Sequence, residues 1–374
     1  MKRIAFAALA VLLGSVAGAR LSMAADDIKI GTSAPLTGPQ AFFGTTWQNG
    51  MKLYFDEINA KGGIKGKKIS LVQLDDKADP KEGTLVAQKF CDDKGVIAVI
   101  GHFNSGVTIP TMDVYSGCGM PQVCLSSNPK ITEMSYKHIF QLTPNDYAQG
   151  AMPANYLYKT LGLRKVAVVN DKQAFGQGVS QVFEQTFKKL GGTVTSVSGV
   201  NYQDVDFSAL ISALKLQNPD VIYMGAVMPQ LSLFVKQMHE QGLTAVYITP
   251  DGGFEPDFIK QAGGAAEGAL VSFQTPPYDS TPELKNFIAQ FEKKFTEKPG
   301  PYSAYGWVDA QVVTTALEAA SSLDRQGVMA ALRNTKMKTI LGTVSFDQNG
   351  KLEGGGEFLY KVVGNDFKLI YTEE

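Results

Sequence analysis

The sequence predicts an α/β protein built as two doubly wound parallel-sheet lobes joined by crossovers. Short apolar runs alternate with helical patterns from Ile28 onward, the alternation restarts near residue 146, and the length exceeds what one core organises. In the first half, Ile28–Ala34 reads as a strand. Trp47, Met51, Phe55 and Ile58 then recur at helical spacing through a helix over Thr45–Ala60, which Gly62-Gly63 ends. Strand Ile69–Leu74, a helix from Pro80 to Cys91, strand Val96–Ile100, a helix to Ser116 and strand Pro121–Leu125 follow. The second half opens with a helix over Tyr147–Leu161. Strands at Lys165–Val169, Thr193–Val197, Val221–Gly225, Ala245–Thr249 and Ala269–Phe273 alternate with helices over Gly176–Leu190, Ser208–Leu216 and Pro229–Gln241. After Pro276-Pro277 come helices over Pro282–Thr296, Ser303–Ser322 and Gln326–Asn334, then short strands at Thr343–Phe346, Phe358–Val363 and Phe367–Tyr371. The late strands imply that the chain passes between lobes more than once, which divides it into 26–145 plus 275–352 and 146–274 plus 353–374.

The N-terminus has the pattern of an export leader over 1–24. Lys2 and Arg3 precede an apolar run from Ile4 to Leu13, and Ser22-Met23-Ala24 places small residues where a signal peptidase cuts. Cleavage is expected after Ala24, with Ala25 as the alternative. No later stretch approaches the roughly 18 uncharged apolar residues of a membrane span. Loss of the leader removes Lys2, Arg3 and Arg20 from 35 basic residues against 36 acidic ones, taking the formal charge from −1 to about −4. That balance argues against nucleic acid as a partner, because phosphate binding needs a basic surface. In an oxidising compartment two of Cys91, Cys118 and Cys124 can pair. Cys91 and Cys118 fall at the ends of successive helices and are the favoured pair, with three free thiols the alternative. Cys124 reads as a buried thiol in a strand.

Reactive constellations are scarce. His102, His138 and His239 are widely spaced, with no HExxH pattern, so no metal is expected and no cofactor either. Neither a GxSxG elbow nor a GxxxxGK[ST] loop occurs. Asp75-Asp76 before Asp79-Pro80 reads as a turn and helix cap. Cys124 with His102 or His138 would be the only route to nucleophilic chemistry, and neither histidine has an evident orienting partner. The chain therefore reads as a binder, not an enzyme.

Polar loops stand at four strand ends, where open α/β sheets bind ligands. They are Ala34–Pro39 running to Phe43-Gly44, Gly101–Gly106 with Asn104 and Ser105, Leu125–Pro129 with Ser126 and Ser127, and Thr249–Gly253 with Asp251. Ser105 and Ser127 offer hydroxyls beside free N–H groups at helix starts, an arrangement that holds a carboxylate. Asp251, in the other half, suits an ammonium. A cleft between them would close on an α-amino acid.

Several motifs add a family likeness: Ile28-Lys29-Ile30-Gly31 with Leu36-Thr37-Gly38-Pro39, Ile58–Ile64, Asp75-Asp76 with Asp79-Pro80, Val99–His102, Asn170–Gly178 and Asp206-Phe207-Ser208. Across nearly the whole exported chain the sequence resembles the leucine/isoleucine/valine-binding proteins of bacterial ABC transporters. The resemblance implies a type I periplasmic-binding fold with three crossovers, hinge closure, a periplasmic location, permease subunits as partners and a monomeric state. It implies that Ser105 and Ser127 meet the ligand carboxylate, that the backbone near Leu125 and Ser126 takes the amine, and that Asp251 pairs with it, one methylene shorter than the family's usual Glu. Phe43, Phe175, Val227 and Trp307 fall at side-chain pocket positions, and Asp146 where some relatives carry another cleft acid. The family's frequent disulfide would need cysteines near Ala78 and Asn104, which are absent. Val123–Pro129 is one residue short, leaving Ser126 and Ser127 as alternatives. The implied ligand is a branched or aromatic amino acid. Aromatic carboxylates, or a sensory role for the same fold, are the other readings.

Overall fold

The computed structural model describes residues 27–373, and the expected export leader lies outside the described residues. The first run of elements is β1 (Ile28–Ala34), α1 (Ala41–Ala60), β2 (Ile69–Asp75), α2 (Pro80–Asp92), β3 (Val96–Ile100), α3 (Ser105–Cys118), β4 (Gln122–Cys124), α4 (Lys130–Glu133) and β5 (Ile139–Gln141). The second is α5 (Asp146–Asn155), β6 (Lys165–Asn170), α6 (Ala174–Lys189), β7 (Thr193–Gly199), α7 (Ser208–Gln217), β8 (Val221–Gly225), α8 (Gln230–Glu240), β9 (Val246–Thr249), α9 (Pro256–Ala262) and β10 (Leu270–Phe273). The chain finishes with α10 (Pro282–Phe295), α11 (Ser303–Ala319), α12 (Arg325–Arg333), β11 (Lys336–Thr339), β12 (Gly342–Ser345), β13 (Glu357–Val363) and β14 (Asp366–Glu373).

Two sheets carry the architecture. The five-stranded sheet runs β2-β1-β3-β4-β5 and is parallel throughout. The seven-stranded sheet runs β14-β13-β10-β9-β8-β6-β7, parallel as far as β10 and then antiparallel through β13 and β14. The predicted α/β class is the observed one. Between the sheets the chain passes after β5, after β10 and after β12. The central strands β3 and β8 are buried at every residue, as a parallel sheet with both faces covered requires.

Local chemistry accounts for the helix starts. Asp79 accepts from the N–H groups of Lys81 and Glu82, with Pro80 in the first turn of α2, and Thr281 and Asp324 cap α10 and α12. Helix α1 begins at Ala41, four residues before the predicted Thr45. Gly44 reads as a loop glycine in sequence but lies inside the first turn, where a Cβ would stand 2.0 Å from the carbonyl oxygen of Pro35. Helix α5 ends at Asn155 and continues as a wider π turn over Tyr156–Thr160. Strands β5 and β11 and helices α4 and α9 are absent from the sequence reading. β5 and α4 have only three and four residues, too few to show a period.

The last helices pack onto the five-stranded lobe. Trp47 of α1 donates its indole N–H to Asp309 of α11 at 2.7 Å, both buried. A disulfide joins Cys91 of α2 to Cys118 of α3, with Cα atoms 5.8 Å apart, while Cys124 is a free buried thiol. Beside the disulfide, the Arg325 guanidinium donates to the carbonyls of Phe90, Cys91, Asp93, Val96 and Cys118 at 3.0–3.2 Å. One side chain thus satisfies orphan carbonyls at the ends of α2 and α3 and ties α12 to them.

Charged donors on neutral acceptors are worth more than neutral pairs, so Arg325→Ala is expected to lower unfolding free energy by about 2 kcal/mol. Arg325→Lys is expected to recover little, because an ammonium cannot span acceptors on three elements. Urea unfolding of the disulfide-intact protein checks this; a Lys variant as stable as wild type would contradict it.

Candidate functional site

The candidate site lies in a cleft where strand ends of the two sheets face each other. From the five-stranded lobe come Phe43 in the first turn of α1, Phe103 and Asn104 in the loop after β3, Ser105 at the start of α3, Leu125 and Ser127 after β4, and Tyr302 before α11. From the seven-stranded lobe come Phe175 in the first turn of α6, Val227 after β8, and Asp251 and Gly252 after β9. A Cβ at Gly252 would stand 2.6 Å from the carbonyl oxygen of Ala226, so glycine lets these two loops close on each other.

One end of the cavity presents the start of α3. Asn104 is the N-cap of α3 but makes no capping bond; its amide donates instead to Gln40 at 2.7 Å. In the first turn of this 14-residue helix the Val107 and Thr108 N–H groups bond the Asn104 carbonyl, which leaves those of Ser105 and Gly106 at the helix start, beside the Ser105 hydroxyl. That hydroxyl accepts a 3.3 Å bond from the Asn128 N–H, which fixes its position.

The other end holds an acid. Asp251 is half-buried, and desolvation raises its carboxyl to about 6 despite Gln149, Tyr302, the Gly252 N–H and Gln274 around it. Behind it, burial raises Asp146 to about 8, with Ser127 opposing and Asp251 reinforcing the shift. Burial also drives Glu357 well above the usual carboxylate range, with Asp251 and Asp146 adding to it. Half-buried Asp251 thus lies over two buried acids, with no basic side chain offsetting any of the three. The side-chain polar atoms of Gln149, Gln274, Asp146 and Glu357 find no protein hydrogen bond of good geometry there.

The walls between the ends are aromatic. Phe43 and Phe103 stack with centroids 5.7 Å apart, and Tyr302 meets both edge-on at 5.5 and 4.9 Å. Across the cleft mouth, Gln40 donates to the Tyr202 hydroxyl at 3.0 Å and Asn128 to the Ala174 carbonyl at 2.8 Å. These bonds join the two lobes in a closed arrangement.

Of the residues singled out in sequence, Phe43, Asn104, Ser105, Ser127, Phe175, Val227 and Asp251 line the cavity. Three do not. Trp307 packs into the core of its lobe against Tyr54 and Phe287, at 4.9 and 5.7 Å, because its place on α11 faces α1 and α10. The Ser126 hydroxyl turns to Thr108 at 2.5 Å and to the His102 and Phe103 carbonyls, so it braces the Phe103 loop and not a ligand. Asp146 lies beneath Ser127 and Asp251, one layer below the cavity surface. Sequence reasoning missed Phe103 and Tyr302. Phe103 stands in a loop already recognised as polar, and Tyr302 follows Gly300-Pro301 at a helix start, a signal indistinguishable there from a plain turn.

His102 has an orienting partner, contrary to the sequence expectation. Its Nδ1 lies 2.7 Å from Asp76, which also accepts from Ser33 at 2.9 Å, and its Nε2 lies 3.1 Å from the Tyr115 hydroxyl. All four side chains are buried, so no substrate reaches them. Asp76 therefore belongs to this core network, while Asp75 builds the turn by accepting from Leu36 and Lys77. Cys124 is fully buried and its thiol is pushed far up by desolvation, which removes it as a nucleophile. Among the described residues, no group of His, Cys, Asp and Glu is arranged to hold a metal.

Two doubly wound lobes enclose a cleft with a helix start at one end and an acid at the other, the architecture of a solute-binding protein. The chain belongs to the periplasmic binding protein family, whose model matches residues 27–362. It is 39% identical over 326 residues to the Leu/Ile/Val-binding protein homolog 2 of Brucella abortus, covering 87% of each chain. Its structure is similar to that of a leucine-binding protein of Thermotoga maritima, with TM-score 0.86 and 29% identity over 92% of this chain and 98% of that one. A solute-binding protein from R. palustris in complex with benzoate shares the fold, with TM-score 0.84 and 20% identity over 92% of this chain and 96% of that one. These relatives are binding proteins, and the family's location is the periplasm.

A carboxyl raised in the folded state stabilises the fold most below its ordinary value and loses that contribution as pH rises through the folded one. Asp146, ordinarily near 3.8 and here about 8, is expected to cost the wild-type protein stability progressively from about pH 4 to pH 8. Asp146→Asn is expected to remove that cost, so its urea midpoint gains on wild type as pH rises across this window. Parallel profiles for the two proteins would contradict the assignment.

Proposed function

We propose that this protein captures an α-amino acid with an apolar side chain by closing its two lobes, and delivers it to the permease subunits of an ABC transporter. The observation that carries the reading is Asp251 on one lobe opposite the uncapped start of α3 and the Ser105 hydroxyl on the other, across a cavity otherwise walled by aromatic and aliphatic side chains. In this reading the ligand carboxylate takes the N–H groups of the α3 start with the Ser105 and Ser127 hydroxyls, and its ammonium pairs with Asp251. Both ends are charge-assisted, and closure strengthens them by excluding water. Ammonium binding lowers the Asp251 carboxyl from its raised value, so capture favours the ionised acid.

Phe43, Phe103, Phe175, Val227 and Tyr302 would receive the side chain, each buried methylene contributing about 0.8 kcal/mol. The moving bodies would be 26–145 plus 275–352 and 146–274 plus 353–374, with Gln40–Tyr202 and Asn128–Ala174 as latches of the closed form. Names of the relatives support a leucine-type ligand. The stacked Phe43 and Phe103 rings favour one rival, an amine-free aromatic acid such as the benzoate held by the R. palustris protein.

Titration calorimetry of refolded, ligand-free protein separates them. Leucine or phenylalanine is expected to bind, Asp251→Asn to weaken binding by about 100-fold, and Ser105→Ala by about tenfold. Undiminished binding by the Asn variant, together with capture of benzoate, would replace the amino-acid reading with the aromatic-acid one.

A further inference from the structure

A second groove runs between the two lobes, separate from the first cavity. It is lined by Phe254, Glu255, Phe273, Tyr278, Tyr360 and Phe367. Phe254 is its centre: it stacks on Phe273 at 4.4 Å and meets Tyr360 and Phe367 at 4.6 and 4.5 Å. Glu255 is only 6% exposed and begins α9, yet its carboxylate makes no capping bond to that helix. No cation or hydrogen-bond donor among the described residues offsets its burial, and its charged neighbour is another acid, Asp257. Desolvation raises the Glu255 carboxyl to about 8, so it either holds a proton or is ionised by a positive group that meets it.

Charge on the rim points the same way. Lys368 is paired with Asp366 at 2.5 Å, which leaves Glu255, Asp279 and Glu292 against Lys298. A groove with a surplus of acid and partly exposed rings at Phe254, Tyr278 and Phe367 suits a cation with an apolar body, through ion pairing and cation–π contact together.

We propose that this groove is a second ligand site, for a small organic cation whose ammonium meets Glu255 and whose apolar body lies against Phe254 and Phe367. The site spans the lobes, since Phe254, Tyr360 and Phe367 belong with the seven-stranded sheet while Tyr278 and Glu292 belong with α10 on the other side. It also backs onto the first cavity, because the Phe273 ring meets Tyr302 edge-on at 5.4 Å. An occupant held by both lobes alters the hinge equilibrium and so the affinity of the first cavity, and linkage makes the effect reciprocal.

Phenethylamine, an aromatic amine without a carboxylate, tests the site by titration calorimetry. It is expected to bind wild type and Asp251→Asn alike, and to bind Glu255→Gln at least about tenfold more weakly. Phe367→Ala, at a partly exposed position, is expected to weaken it as well. Loss of binding in Asp251→Asn with retention in Glu255→Gln would put the amine in the first cavity and overturn the inference. So would the absence of binding to wild type at millimolar amine. Neither outcome bears on amino-acid capture, which the Asp251 and Ser105 variants decide.

Discussion

A half-buried carboxylate at the tip of a strand, facing the uncapped start of a helix on another lobe, is the constraint around which this molecule is organised. Neither group is comfortable alone. Asp251 sits above the buried acids Asp146 and Glu357, and the start of α3 keeps the Ser105 and Gly106 N–H groups that its own N-cap does not take. In the proposed reading a zwitterion of amino-acid size answers both needs at once, and only when the lobes are together. Closure would thereby be coupled to occupancy without any separate switch.

Much of the remaining structure serves to hold these two groups in register. The cross-lobe bonds of Gln40 and Asn128 set the closed distance, while Ser126 braces the Phe103 loop. The buried Ser33–Asp76–His102–Tyr115 network anchors the same loop from below. It combines a serine, an acid and a histidine, yet it points inward. Its chemistry is positional. On the far side of the lobe, Arg325 and the Cys91–Cys118 disulfide gather the ends of α2 and α3, so that the α3 start is presented from a rigid body.

The fold was largely legible in the chain because its determinants are local. Val96–Ile100 is apolar at every position, as a doubly covered strand must be, and Asp79-Pro80 announces α2 by cap and first turn. What escaped was set by tertiary packing. β5 is too short to show a period, Gly44 enters a helix because a backbone carbonyl leaves no room for a side chain, and Trp307 turns inward because α11 lies along α1. For the site, the strand-end loops carrying Ser105, Ser127 and Asp251 were readable, since open sheets place ligands there. The roles of Tyr302, Phe103 and the buried Asp76–His102 pair were not, because each depends on which ring or carboxylate a distant segment brings alongside.

The most direct measurement compares leucine with 4-methylpentanoic acid, its amine-free counterpart, by titration calorimetry on refolded protein. The two share side chain and carboxylate and differ only in the group assigned to Asp251. The account predicts that leucine binds at least about 100-fold more tightly, the loss of a buried ion-pair partner costing about 3 kcal/mol. Equal affinities, or preference for the amine-free acid, would contradict it.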